Sequence, residues 1–370
     1  MIKKIIIVSN TSWSLYNFRF NLAKRLRDLG YKVILIAPFD DYSERLSQEF
    51  EYHNVYINSK GTNPMQDINT TIDLFKLYKD IKPDLALHFT IKPNIYGSIA
   101  SRILRVKTIN NITGLGSIFM KTNLITNMVQ LLYKFSQANV EKIFFQNKDD
   151  YNIFIDNRLV FKDKCEVLPG SGVDTKKFTP INFKKKNDKF IFLLIARMLW
   201  DKGIHEYIQA AKDIKIKHPN IEFQLLGFLN NLDKNSVSDR QMQLWVDTGV
   251  VNYLGVSDDV RKEISMADCI VLPSFYREGT PRTLLESASM AKPIITTDNV
   301  GCKDVVDDGI NGYICKIKNA DDLAQKMEKL LTLSDEELIA MGIAGRKKIL
   351  KEFDEEIVIE KYLNKIRELI

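Results

Sequence analysis

Two glutamates, Glu278 and Glu286, stand eight positions apart in the segment PSFYREGTPRTLLES. An apolar strand-like run, Cys269 to Leu272, leads into a loop. Gly279 then permits a turn, Thr280 offers a capping hydroxyl, Pro281 falls where a first helical residue belongs, and Arg282 to Met290 reads as helix. A helix that begins this way turns backbone N–H groups and the positive end of its dipole outward, which suits a phosphate. Glu278 lies just before that end and Glu286 about two turns inside it. One carboxylate can face whatever the helix tip holds, while the other accepts hydrogen bonds from hydroxyls along the same ligand. A phosphate flanked by hydroxyl-bearing groups describes a nucleotide sugar. Taken alone, the spacing fits equally a solvated Glu before a helix and a second on its exposed face.

A basic pair upstream adds to the first reading. In KFIFLLIARMLWDKGIHEYIQAAKDI an apolar strand, Phe190 to Ala196, is followed by Arg197, by Lys202 in a loop, and by an amphipathic helix from about Gly203. Ligands of open α/β sheets bind at the carboxyl ends of strands, so both cations are expected at the same crevice as the Gly279 helix tip. Arg supplies a planar fork and Lys a mobile point charge, a combination suited to a diphosphate. Either cation by itself reads as a surface charge.

In combination, Arg197, Lys202, Glu278 and Glu286 resemble the donor-site motif of the family-4 retaining glycosyltransferases, which have the GT-B fold: α/β, two doubly wound parallel-sheet domains of Rossmann type facing a cleft. SGVDTKKFTP (Ser171 to Pro180) is similar to the family's lead into its interdomain linker, and DNVGCKDVVDDGINGYI (Asp298 to Ile314) to its closing strand and turn. TIKPNIYGSIASRI and NITGLGSIFM, in the N-terminal half, resemble the subgroup that adds N-acetylgalactosamine to diphospho-undecaprenol-linked bacillosamine. The resemblance spans essentially the whole chain. It implies a hexosyltransferase moving a sugar, by preference an N-acetylhexosamine, from a UDP-sugar to a polyprenyl-diphosphate-linked saccharide. The product would be an O-antigen (lipopolysaccharide), capsule or glycoprotein glycan precursor.

The implied roles follow the motif. Arg197 and Lys202 hold the diphosphate, with the backbone at Gly279, Thr280 and Pro281 completing the cradle. Glu278 positions the donor sugar, and Glu286 binds the ribose hydroxyls. Lys92 and Asn94 are the acceptor-binding candidates. Ile91 stands where the subgroup carries a His, so that role is not transferred, and His88, at a strand end, reads as structural. No cofactor is implied, since the UDP-sugar is a substrate. There is no Asp-x-Asp triplet, and the four histidines lack paired ligand spacing, so a metal-independent reaction is expected.

The elements that must position these residues alternate twice between strand and helix. Ile5 to Val8, Val33 to Ala37, Leu85 to His88, Lys142 to Gln146 and Glu166 to Leu168 read as strands of a first domain, with helices such as Asn21 to Leu29 between them. Phe190 onward, Glu222 to Leu226, Asn252 to Gly255, Cys269 to Leu272, Pro293 to Thr297 and Gly312 to Cys315 form the second series. The charged stretch FKKKNDKF marks the boundary. The expected layout is an acceptor-binding domain over 1–180, a nucleotide-sugar domain over 188–352, and a terminal helix over 353–370 that crosses back to the first.

Charge and composition bound the partners. Through Pro180 there are 25 Lys and Arg against 17 Asp and Glu, while the remainder has 28 against 30. A basic first half suits an anionic surface or substrate, although drift in a lysine-rich composition gives the same balance. The stretch Leu124 to Val140 reads either as core or as an interfacial helix on anionic lipid, with Ile125, Met128, Val129, Leu132 and Tyr133 sharing a face. No run reaches the ~18 apolar residues of a spanning helix, and MIKKIIIVSN is too short for a signal peptide. Four scattered cysteines without metal spacing fit a reducing compartment. The expectation is a cytoplasmic protein, peripheral to the inner face of a bacterial membrane. A UDP-sugar 2-epimerase of the same fold is the alternative. A nucleic-acid-binding protein lies behind it, since no aromatic-basic repeat accompanies the charge.

Overall fold

Ile5, Ile6, Ile7 and Val8 are all fully buried, the odd residues in one apolar cluster and the even residues in another. A strand covered on both faces must be apolar throughout, and it belongs in a parallel sheet with helices on either side. The computed structural model describes residues 2–58, 63–115, 124–181, 189–230, 233–277 and 279–370, and it resolves them into two units: Met1–Ser171 with Val358–Ile370, and Gly172–Ile357.

The first unit is built on β1 (Lys4–Val8), β2 (Lys32–Ala37), β3 (Glu51–Asn54), β4 (Leu85–Phe89), β5 (Lys107–Ile112), β6 (Lys142–Phe145) and β7 (Cys165–Val167). They form one sheet in the order β3-β2-β1-β4-β5-β6-β7, every pairing parallel. Two of these strands escape the hydrophobic pattern. β3, EYHN, is an edge strand with no buried residue. β5, KTINNI, carries Asn110 and Asn111, both 0% exposed, whose polar atoms are satisfied internally. An apolar-run criterion misses a buried strand that has exchanged hydrophobic side chains for a hydrogen-bonded network.

The second unit contains β8 (Ile191–Ile195), β9 (Glu222–Leu226), β10 (Asn252–Tyr253), β11 (Cys269–Leu272), β12 (Ile294–Thr297) and β13 (Gly312–Cys315). Their order is β10-β9-β8-β11-β12-β13, again all parallel. Along β8, Phe192 and Leu194 enter one core cluster while Ile191, Leu193 and Ile195 enter the other.

The domain limits differ from those read in the sequence. The change of unit falls at Ser171–Gly172, not in the charged stretch, of which residues 183–188 lie outside the described residues. Val173 and Glu355 tie the two crossing strands together, through Val173 N–H to Phe353 O (2.9 Å) and Glu355 N–H to Val173 O (3.0 Å). Phe178 and Phe353 then bury in the second unit's core. Apolar anchorage decides the boundary, and the lysine-rich composition does not. The helix Glu355–Leu369 brings Val358, Ile359, Tyr362, Leu363 and Ile366 into the core of the first unit.

Candidate active site

In the second unit the strand order runs from β8 to β9 on one side and to β11 on the other. β8 and β11 pair directly, with Phe192 opposite Cys269 and Leu193 opposite Ile270. The crevice beyond such a topological switch point is where open α/β sheets hold ligands. The sequence-derived donor residues fall in the two loops that leave these strands.

The loop after β8 is fixed by its own backbone. Met198 N–H donates to Phe228 O (3.0 Å) and Trp200 N–H to Asn235 O (2.9 Å). Arg197 stands two residues beyond β8 with an exposed side chain. Trp200–Lys202 forms a single 3-10 turn that ends at Gly203, with φ of 77°. A Cβ at Gly203 would lie 2.1 Å from the carbonyl oxygen of Pro273, so glycine is required both for its left-handed backbone and for the approach of the two loops. The helix Ile204–Lys217 starts from the same residue.

Those loops are stitched where they meet. The carbonyl of Asp201 accepts hydrogen bonds from the amides of Phe275 and Tyr276, both at 3.0 Å. From the other side, Asn299 Nδ2 donates to Tyr276 O (2.6 Å) and Ser274 O (3.2 Å), and Thr297 Oγ1 donates to Ser274 O (2.5 Å). Lys202 is consequently buried, 8% exposed, with Nζ 4.8 Å from the centre of the Tyr276 ring. The aromatic face compensates part of the cost of withdrawing the ammonium from water.

Glu278 lies outside the described residues, between Arg277 and Gly279. Just beyond it the helix begins at Arg282, where the sequence pattern places it, and ends at Ser289, one residue before the expected Met290. Pro281 is its N-cap, with ψ of 117°, and the start has no side-chain cap, so Thr280 does not play the capping role. The amides of Leu284 and Leu285 turn back to the Pro281 carbonyl, at 3.1 and 3.4 Å.

Glu286 is half-withdrawn into this helix face. Its Oε1 receives Nε of Arg282 at 2.9 Å, an i,i+4 pair in which both side chains are mostly buried. Burial raises its carboxyl pKa, the charge and hydrogen bond of Arg282 oppose that rise, Lys177 opposes it further and Asp259 adds to it. The sequence pattern places Arg282 and Gly203 only as helix starts and gives Tyr276 no role. The RTLLE spacing would have signalled the first, whereas the other two emerge only from loop contact.

The acceptor candidates of the first unit divide. Lys92 Nζ is paired with Asp67 Oδ1 at 2.5 Å, and Tyr96 OH donates to the other carboxylate oxygen at 2.8 Å. Lys92 therefore carries a compensated charge. Asn94 is a correction to the sequence-based assignment. It is 0% exposed, its Nδ2 donates to Asn111 O (2.7 Å), and its own carbonyl accepts from Gln137 Nε2 (2.9 Å). Its Nδ2 and backbone carbonyl brace the sheet, while its side-chain Oδ1 is buried with no hydrogen-bond partner among the described residues. His88 belongs to the same network, between Tyr78 OH and Asn110 Oδ1, both at 2.9 Å, and burial pushes its pKa down to about 4.

Comparison with known proteins bears on both units. Residues 4–147 match the family described as Glycosyl transferase 4-like, and residues 175–348 match Glycosyl transferases group 1. The chain is 29% identical to N,N'-diacetylbacillosaminyl-diphospho-undecaprenol alpha-1,3-N-acetylgalactosaminyltransferase of Campylobacter jejuni, over 97% of each protein. It is 27% identical to the UDP-Gal:alpha-D-GlcNAc-diphosphoundecaprenol alpha-1,3-galactosyltransferase of Escherichia coli, over 90% of this chain and 86% of that one. A glycosyltransferase structure from Rickettsia africae superposes with a TM-score of 0.83 at 20% identity, covering 100% of this chain and 98% of the other, a likeness of fold. With a glycosyltransferase family matched in each unit and a relative aligned almost end to end, the chain belongs to the glycosyltransferases that join a 4-like N-terminal domain to a group 1 C-terminal domain on the GT-B fold.

Proposed function

We propose that this enzyme transfers a sugar, by preference an N-acetylhexosamine, from a UDP-sugar to a polyprenyl-diphosphate-linked saccharide during assembly of a surface polysaccharide or glycan. The observation that carries the donor half is the buried Lys202 beside Tyr276, at the switch point flanked by Arg197 and by the uncapped helix start at Pro281. A buried ammonium, an arginine and a helix N-terminus together neutralise a departing diphosphate. The lipid-diphosphate acceptor is supported by relatives whose names specify undecaprenol-linked substrates.

Arg197 and Lys202 grip the two phosphates, and backbone amides near Gly279, Thr280 and Pro281 complete the cradle. Glu278 orients the donor sugar. Glu286, its orientation fixed by Arg282, accepts from the ribose hydroxyls. Transfer proceeds with retention: the bond from the anomeric carbon to the leaving phosphate breaks, and the acceptor hydroxyl oxygen bonds to that carbon on the same face. The departing phosphate takes the hydroxyl proton. This chemistry calls for no metal and no cofactor. The acceptor's lipid places the enzyme on the cytoplasmic face of the membrane as a peripheral protein, and nucleic acid has no part in the reaction. Among the described residues no helix is long and apolar enough to cross a membrane.

The test is a panel of UDP-sugars offered with and without a short-chain polyprenyl-diphosphate saccharide, with product stereochemistry read by NMR. Acceptor-dependent release of UDP and an anomerically retained product are expected. Conversion of a UDP-sugar without acceptor would replace the transferase by an epimerase.

A further inference from the structure

Between Asp84 and Glu141 the chain has no Asp or Glu, although the whole protein carries about one in eight residues, and the same interval holds six Lys and Arg. The helices Ser98–Leu104 and Leu124–Gln137 lie inside this interval. Sequence periodicity assigns the apolar face of the second to Ile125, Met128, Val129, Leu132 and Tyr133, of which the Ile125 side chain lies outside the described ones. The structure divides that set: Tyr133 is 0% and Val129 9% exposed, both within the core. The outward face is instead made by Met128, Leu131 and Phe135, spaced i, i+3 and i+7 and 45%, 69% and 53% exposed.

The neighbouring helix extends this face. Arg102 lays its guanidinium over the Phe135 ring, 4.9 Å from its centre, and reaches the Phe135 carbonyl at 3.4 Å. Ile103 beside it is 63% exposed. Arg105 and Lys134 are exposed as well, so the apolar patch has a basic border and no carboxylate from either helix. A protein partner would need acidic groups around an apolar knob. A bilayer surface rich in anionic lipid supplies the same pairing continuously, with acyl boundary beneath a layer of phosphates. Arg102, with its guanidinium over the Phe135 ring, sets a positive charge directly beside the apolar face, where lipid phosphates would meet it.

We infer that the outer face of these two helices docks the first unit onto an anionic membrane surface, with Leu131, Phe135 and Ile103 entering the headgroup boundary and Arg102, Arg105 and Lys134 meeting lipid phosphates. The inference rests on the lipid-linked acceptor reading, which gives the enzyme a reason to be there.

The experiment measures sedimentation of the full chain with vesicles of phosphatidylglycerol and phosphatidylcholine, and with vesicles of phosphatidylcholine alone. Binding to the mixed vesicles is expected at low salt, falling steeply as salt rises, with little binding to the neutral ones. The double variant Leu131→Asp and Phe135→Asp should bind roughly tenfold more weakly or worse, since each change removes buried apolar area. Arg102→Gln should cost about fivefold. Leu244→Asp, at a 54% exposed apolar position of the second unit, should bind as wild type does. All variants should keep their melting temperature and their transfer rate to a water-soluble short-chain acceptor. Wild-type binding to neutral vesicles as strong as to anionic ones would overturn the proposal, and so would a double variant that binds unchanged. Vesicle binding that depends on this face, in a protein that transfers nothing to any acceptor, would support the docking surface and sink the acceptor reading.

Discussion

Replacing Gly203 by Ala tests the loop junction on which the donor site depends. Two costs arise and can be separated. An alanine at φ of 77° occupies the left-handed region, at about 1–2 kcal/mol. Its Cβ would also sit 2.1 Å from Pro273 O and 2.6 Å from Pro273 C, backbone atoms that cannot swing aside. Relief requires the two loops to part, which breaks the two hydrogen bonds onto the Asp201 carbonyl at ~1 kcal/mol each. The sum is about 3–4 kcal/mol. Gly249 provides the control: its φ is 69°, but nothing lies within 4 Å of a Cβ there, so Gly249→Ala should show the backbone cost alone. Trp200 and Trp245 pack edge to face at 6.0 Å in the same unit and report its unfolding by fluorescence. Urea unfolding followed by that signal should separate the two variants by about 2 kcal/mol, the two broken bonds. Calorimetric titration with UDP should weaken for Gly203→Ala only, because Lys202 loses its seat beside Tyr276. Equal destabilisation of the two variants would refute the packing argument. Unchanged UDP affinity in a destabilised Gly203→Ala would detach Lys202 from the diphosphate.

Three further outcomes are expected. Arg197→Ala and Lys202→Ala should each slow turnover by about a hundredfold, as for removal of one group stabilising a developing anion, and normal turnover in either would remove that residue from the clamp. Transfer should persist in excess EDTA, whereas loss restored by a divalent cation would return the leaving-group chemistry to a metal. For His88, the fold holds the imidazole neutral with a pKa near 4, below the ordinary 6.5, so the unfolded chain takes up the proton first. The stability this contributes is whole above pH 6.5 and is lost as pH falls towards 4, up to ~3 kcal/mol in all. Urea unfolding of wild type and His88→Asn across that window should show a shallower pH dependence in the variant, and identical slopes would mean that His88 is not the titrating group.

What was legible in the sequence was whatever a local pattern states outright. Buried parallel strands such as Ile191–Ile195 announce themselves as apolar runs, and the donor motif collects Arg197, Lys202 and Glu286 around two loops that do leave adjacent strands. What failed depended on partners distant in the chain. Asn94 has the polar side chain of a ligand contact, and only its placement against Asn111, Gln137 and Asn110 shows that it braces the sheet. β5 was overlooked for the same reason, because its two asparagines look like loop until their partners are in place. Periodicity identified the helix Leu124–Gln137 but could not say which side of it the sheet takes.

These failures share a physical basis that also explains where the function sits. A buried polar group is tolerated only when something far away in sequence satisfies it, so its meaning cannot be read locally. In the first unit His88, Asn110, Gln137 and Asn94 are linked by hydrogen bonds that set the frame. In the second unit the buried ammonium of Lys202 is set against the aromatic face of Tyr276, in the loop that leaves β8 at the switch point. Rigid polar networks under the first sheet and a buried cation above the second divide the work of a transferase accordingly. Under the proposed function, the first unit would hold the acceptor on its braced sheet, while the second would meet the diphosphate of the UDP-sugar beside Lys202.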